Sequence, residues 1–156
     1  MNPEVINFAL IEGQENIKTH IESLAVLRSE SNTTISFLIA GSGAALGCGI
    51  KVLEGSGDKA VLFGLFSVCF YLCLLSGLLL WKCLWIDDMM PAHCEPKNLY
   101  HPQFDILSIK VEELGQLQIR CEFNRERTCI VGWWLNCTRV GIFATPVIFL
   151  LVWVAS

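Results

Sequence analysis

Three stretches without a single charged residue constrain this chain more than anything else in it. They run over residues 31–50, 60–81 and 140–156. A helix rises 1.5 Å per residue, so about twenty apolar residues cross the roughly 30 Å hydrocarbon layer of a bilayer. The first two stretches reach that length and the third stands at its short limit. Inside lipid, backbone amides have no water to bond to and must pair within their own helix. The fold class that follows is an all-α membrane protein, with three transmembrane helices, an amphipathic N-terminal helix and a helical cytoplasmic connection. The segments read as 1–31 for the amphipathic helix, 32–53 for the first span, 54–59 for an external turn, 60–86 for the second span, 87–138 for a cytoplasmic loop and helix, and 139–156 for the third span.

Basic residues orient the spans, because loops rich in lysine and arginine stay in the cytoplasm. The long connection and its edges carry Lys82, Lys97, Lys110, Arg120, Arg125, Arg127 and Arg139, whereas the short turn has only Lys51 and Lys59 about it. This places the N-terminus in the cytoplasm and the C-terminus outside, in a multi-pass inner-membrane topology. Trp81 and Trp85 close the second span and Trp133 and Trp134 open the third, so all four fall at one interface, where aromatic belts lie. The first thirty residues are too polar for a secretory leader, and the N-terminal segment is expected to be retained.

The middle of the first span is dense in small residues. Gly41 with Ala45, Gly43 with Gly47, and Ala45 with Gly49 each stand four apart. In lipid, such pairs let two backbones approach closely and gain dispersion contact. This groove can receive a helix of the same chain or a second copy. Three helices fill only part of it, so these five positions are the candidate oligomer-packing residues.

Before that span, Ile6, Leu10, Ile17, Leu24 and Leu27 recur at helical spacing, interrupted by Gly13 and His20. The stripe fits packing against the chain's own cytoplasmic part or a seam between subunits. From Phe104 to Cys121 a second helix places Leu107, Val111, Leu114 and Cys121 on one side, and from Leu117 it can run directly into the third span. Arg120, Arg125 and Arg127 form a basic cluster that suits anionic headgroups, or an anion or nucleotide held between subunits. Arg139 stands at the mouth of the third span. It fits either snorkelling among inner-leaflet headgroups or, as a candidate pore or anion contact, facing a water-filled centre or a carboxylate partner. The charge-free runs hold no acid to pair with it. Pro146 is expected to kink that span.

No catalytic or cofactor motif emerges. The chain holds no Gly-rich phosphate loop, His-Glu-x-x-His or Gly-x-Ser-x-Gly. A zinc site from His93, Cys94, His101 and Cys121 lacks any Cys-x-x-Cys pair, and unlinked thiols are the better reading of the eight cysteines. Asn32-Thr-Thr and Asn136-Cys-Thr match the glycosylation pattern on the side where glycosylation does not occur. The expectation is no enzyme, no metal and no cofactor. A net charge of −4 gives no reason to expect nucleic acid.

The order of elements resembles small membrane effectors of bacterial anti-phage systems, of the Pycsar type and related two-to-three-span modules. The residues that carry it are Ile17 to Arg28 ahead of the first span, the Gly55-Ser-Gly turn, Asp87 to Pro102, and Asn124 to Arg139 feeding the last span. The resemblance implies a homo-oligomeric effector that disturbs inner-membrane integrity when triggered from its cytoplasmic side. The chain departs from that pattern in having no recognisable nucleotide-binding domain, so a trigger must come from a cytoplasmic protein or from a nucleotide-derived ligand held between subunits. The alternative is a non-conducting membrane anchor that recruits a soluble partner.

Overall fold

The computed structural model describes residues 3–55, 58–85, 89–92 and 105–155, and all regular structure among them is helical. Helix α1 spans Pro3–Glu54 and α2 spans Lys59–Leu79. The latter continues into a π-helical stretch, Leu80–Leu84, in which the Trp85 N–H donates to the Leu80 carbonyl at 3.0 Å. Helix α3 spans Ile106–Phe143, and α4 spans Thr145–Ala155. Two helical stretches, Pro3–Glu54 and Lys59–Leu84, are long and apolar enough to cross a bilayer. The pair α3 and α4, bent by 43°, adds a third if it counts as one span. The second span was expected to reach residue 86; Ile86 lies outside the described residues.

Local chemistry explains the ends. Pro3 opens α1, where its missing N–H costs nothing, and Glu4 suits the positive end of the helix dipole. Asp58 caps α2 by accepting the Ala60 N–H at 3.0 Å. Pro146 has no N–H to give the Ile142 carbonyl, and the chain breaks at Ala144, whose N–H bonds to Gly141 O at 3.0 Å.

The chain divides into two compact units, Met1–Val26 with Asp87–Ile130, and Leu27–Ile86 with Val131–Ser156. In the first, α1 and α3 run parallel. Asn7 accepts a hydrogen bond from Lys110 Nζ at 2.8 Å, and Cys121 Sγ donates to Gly13 O at 3.6 Å. Ile6, Ile17, Leu24 and Leu117 are buried. Gly13, which interrupts the apolar stripe of α1, is the seat for Leu117: a methyl there would run into Leu117 Cδ2. The expected stripe of α3 is corrected at one position, since Val111 is 41% exposed while Leu117 is 1% exposed. The buried positions of α3, Leu117 and Asn124, stand seven apart, as Ile17 and Leu24 do on α1. A seven-residue repeat keeps one seam facing a partner helix, and Val111 falls off that seam. Buried Asn124 clamps the chain entering this unit: its Oδ1 accepts the Met90 N–H at 3.0 Å, and its Nδ2 donates to Met90 O at 2.9 Å.

The second unit packs three helical layers. Leu38 of α1 with Val68 and Leu72 of α2 form its core, flanked by Ala45, Tyr71, Leu75, Ile142 and Phe149. Helix α2 runs antiparallel to the others, meeting α3 through Cys83 Sγ to Val131 O at 3.7 Å and Tyr71 Oη to Gly141 O at 2.9 Å. The polar groups on the seam bond within their own helices: Ser31 Oγ donates to Leu27 O, and Thr138 Oγ1 to Trp134 O.

The seam makes a testable distinction. Leu117→Ala is expected to lower stability by about 2–5 kcal/mol, the usual cost of emptying a packed leucine site. Val111→Ala is expected to stay within about 0.5 kcal/mol. Thermal loss of helical circular dichroism in mild detergent reads both, and equal effects would reject the seam.

Candidate functional site

The candidate packing residues of α1 separate into two faces. Gly41, Ala45 and Gly49 turn toward α2. A methyl on Gly41 would stand 3.3 Å from Leu72 Cδ1, and one on Gly49 would stand 3.8 Å from both Leu65 Cβ and Phe66 Cζ. This face, expected to join subunits, is occupied by the chain's own second helix. The reason is geometric: residues four apart share a face, and the α2 side chains opposite are large enough to fill the groove they leave. Gly43 and Gly47 lie on the other side, exposed, with nothing among the described residues within 4 Å of a methyl built on either.

Arg139 has a partner that the charge-free runs conceal. Its Nη2 stands 2.6 Å from Glu30 Oε2, with both side chains a little under half exposed. Glu30 sits one residue before the first apolar run, and Arg139 one residue before the third. Because α1 and α3 are parallel here, with Leu27 beside Gly132, the two ends meet at one level. The charge-free runs hold no acid, as the sequence reads, and the carboxylate beside Arg139 comes from just outside them. Sequence reasoning looked for the acid inside the apolar runs, whereas it stands at their shared edge.

The tryptophans expected at one interface gather in the same unit. Lys82 Nζ lies 4.4 Å from the Trp81 ring centre and 5.7 Å from that of Trp134, and Trp133 meets Trp134 edge-on at 4.9 Å. A lysine over indole faces gains cation–π energy while keeping its ammonium near polar groups.

The basic cluster does not converge. Arg125 lies about 140° around the helix from Arg120 and about 160° from Arg127, at about 100° per residue. Arg120 pairs with Glu113 at 3.2 Å, largely buried, and Arg127 stands over the Phe123 ring at 5.3 Å. Arg125 instead lines an open cleft of about 290 Å³ in the first unit with Glu12, Asn16, His20, Gln118 and Cys121. The cleft mixes both signs of charge, so it is not a dedicated anion site. Burial pushes the Cys121 thiol up from its ordinary pKa, with the Glu122 carboxylate adding to the effect. A thiol so shifted is a poorer nucleophile at neutral pH.

Among the described residues, no three His, Cys, Asp or Glu side chains gather to hold a metal, and the seven described cysteines are unpaired. His93, Cys94 and His101 lie outside the described residues. No family model, curated protein or solved structure matches the chain.

The ion pair invites a charge-swap test. Arg139→Glu is expected to place two carboxylates together and lower the midpoint of thermal aggregation by several degrees. Glu30→Arg added to it is expected to recover most of the loss. A half-exposed pair contributes on the order of 1 kcal/mol or less, and size-exclusion profiles of heated samples measure it. Failure of the double variant to recover would mean that the two residues do not act as a pair.

Proposed function

We propose that this chain is a homo-oligomeric inner-membrane effector that alters bilayer permeability when triggered on its cytoplasmic helices, in the setting of anti-phage defence. The N-terminus and the long connection face the cytoplasm, and the C-terminus faces outward. The observation that carries the reading is the free Gly43/Gly47 face of α1. One chain uses Gly41, Ala45 and Gly49 for its own packing and leaves a second close-approach surface on the same helix. In lipid, such a surface is well suited to a second copy. The surrounding apolar exposure supports a bilayer setting, with Phe37, Phe70, Phe143 and Leu151 all at least 65% exposed. No catalytic step is required. The trigger is a cytoplasmic protein or a nucleotide-derived ligand.

A second reading, a non-conducting anchor for a soluble partner, is favoured by Val5, Phe8 and Ile11, which are 57–65% exposed on α1 in the first unit. Ile17 and Leu24, from the apolar stripe that the sequence marks on this helix, are buried in that unit, so they do not present a docking face.

Light scattering in mild detergent, corrected for bound detergent, is expected to give a discrete multiple of 17.4 kDa. Gly43→Leu with Gly47→Leu is expected to reduce it to one protomer and to abolish dye leakage from vesicles of anionic lipid. Wild-type assembly and leakage in that variant would refute the oligomeric effector. A monomeric wild type that retains a stoichiometric soluble partner, lost on Phe8→Ser with Ile11→Ser, would establish the anchor.

A further inference from the structure

The break between α3 and α4 gathers more unusual chemistry than any other point of the apolar unit. Gly141 O accepts two hydrogen bonds there, from the Ala144 N–H at 3.0 Å and from Tyr71 Oη at 2.9 Å, the latter reaching across from α2. In an unbroken α-helix the same oxygen would accept from the N–H of Thr145, four residues on. Thr145 also carries a hydroxyl that commonly donates to that carbonyl in helices. Here Thr145 Oγ1 is buried and has no hydrogen-bond partner among the described residues. A buried hydroxyl without a partner costs free energy, more so away from water.

The packing on either side of the break is close. A methyl on Gly141 would meet Tyr71 Oη at 3.1 Å and Leu75 Cδ2 at 3.2 Å, and one on Gly64 would meet Phe149 Cε2 at 2.9 Å. The bent α4 therefore rests a phenyl ring on Gly64 of α2, while α3 is held by the Tyr71 hydroxyl. Both contacts are made with one helix, α2, which serves as the abutment for the bend.

We propose that this break is a two-state switch in the third span, in which the Gly141 carbonyl passes between the Tyr71 hydroxyl when the span is bent and Thr145 when it is straight. Pro146 keeps the bent state accessible by removing one ladder bond that a straight helix would otherwise gain. Tyr71 makes the bent state specific by occupying the acceptor that straightening needs. The unpartnered Thr145 hydroxyl is the group that gains a bond on straightening, so the two states differ by an exchange of donors on one oxygen. A discrete exchange of this kind is what a bistable element requires. The switch deepens the effector reading, because it names the element whose rearrangement changes the bilayer-crossing helices.

Backbone hydrogen exchange of the full chain in lipid nanodiscs, followed over a peptide covering residues 141–149, tests the switch without relying on leakage. Tyr71→Phe removes the latch but keeps the ring. It is expected to lower exchange across the break by roughly 3- to 15-fold, the range that interhelical hydrogen bonds in membranes support, because the freed Gly141 carbonyl then accepts from Thr145 in the straight span. Pro146→Ala is expected to slow exchange there, and Tyr71→Phe added to Pro146→Ala is expected to change it little, because a straight span no longer uses the latch. Unchanged exchange in Tyr71→Phe would overturn the proposal. So would a rise in exchange, with or without Pro146, which would make Tyr71 a packing residue only. Vesicle leakage of the same variants separates the two readings. A wild type that never leaks removes the effector reading and leaves the exchange result standing. Exchange that ignores Tyr71 in a leaking protein removes the switch and leaves the effector.

Discussion

The seating of α3 on α1 through residues seven apart is the interaction on which the arrangement depends. Leu117 lies against the backbone of Gly13, and the same spacing buries Ser31 and Leu38 on α1 and Val131 and Thr138 on α3 in the second unit. Parallel helices far apart in sequence have no short loop to fix their register. Their register must come from the shapes of the seam, and a leucine tip on a bare glycine is a strong shape constraint. In the first unit that register brings Cys121 to Gly13 and Lys110 to Asn7, and in the second unit the same spacing accompanies the pairing of Arg139 with Glu30.

Polar residues on the seam would ordinarily weaken it. Each instead finds a local acceptor or a specific partner. Ser31 and Thr138 bond back four residues along their own helices. Asn124 uses both ends of its amide on the Met90 backbone. Such satisfaction lets each unit keep its seven-residue spacing, since a buried amide or hydroxyl is tolerated when its bonds are made.

The apolar unit is held by a different device. Its helices approach where side chains are small on one and large on the other: Gly41 and Gly49 of α1 receive α2, and Gly64 of α2 receives Phe149 of α4. Where hydrophobic burial contributes little between helices, this exchange of bulk for proximity supplies the dispersion contact. Gly43 and Gly47 are left over because a helix has two sides and α2 covers one.

The sequence by itself determined which segments are helical. Charge-free runs of span length leave no other backbone arrangement satisfied in lipid, and Pro146 dictates a break because it lacks a donor. The sequence also pointed to Trp81, Trp133 and Trp134 lying near one another, since the end of the second apolar run and the residues just before the third carry them. Which face of α3 is buried was not legible, because its seam includes Asn124 and Thr138, and a hydrophobic pattern passes over polar members. Only the tertiary structure paired Glu30 with Arg139, 109 positions apart, gave Gly41 and Gly49 an occupant from the same chain, and brought the Tyr71 hydroxyl to Gly141. Each of these depends on the register between helices distant in sequence. Register is decided by the fit of side chains across a seam rather than by the periodicity of either helix alone.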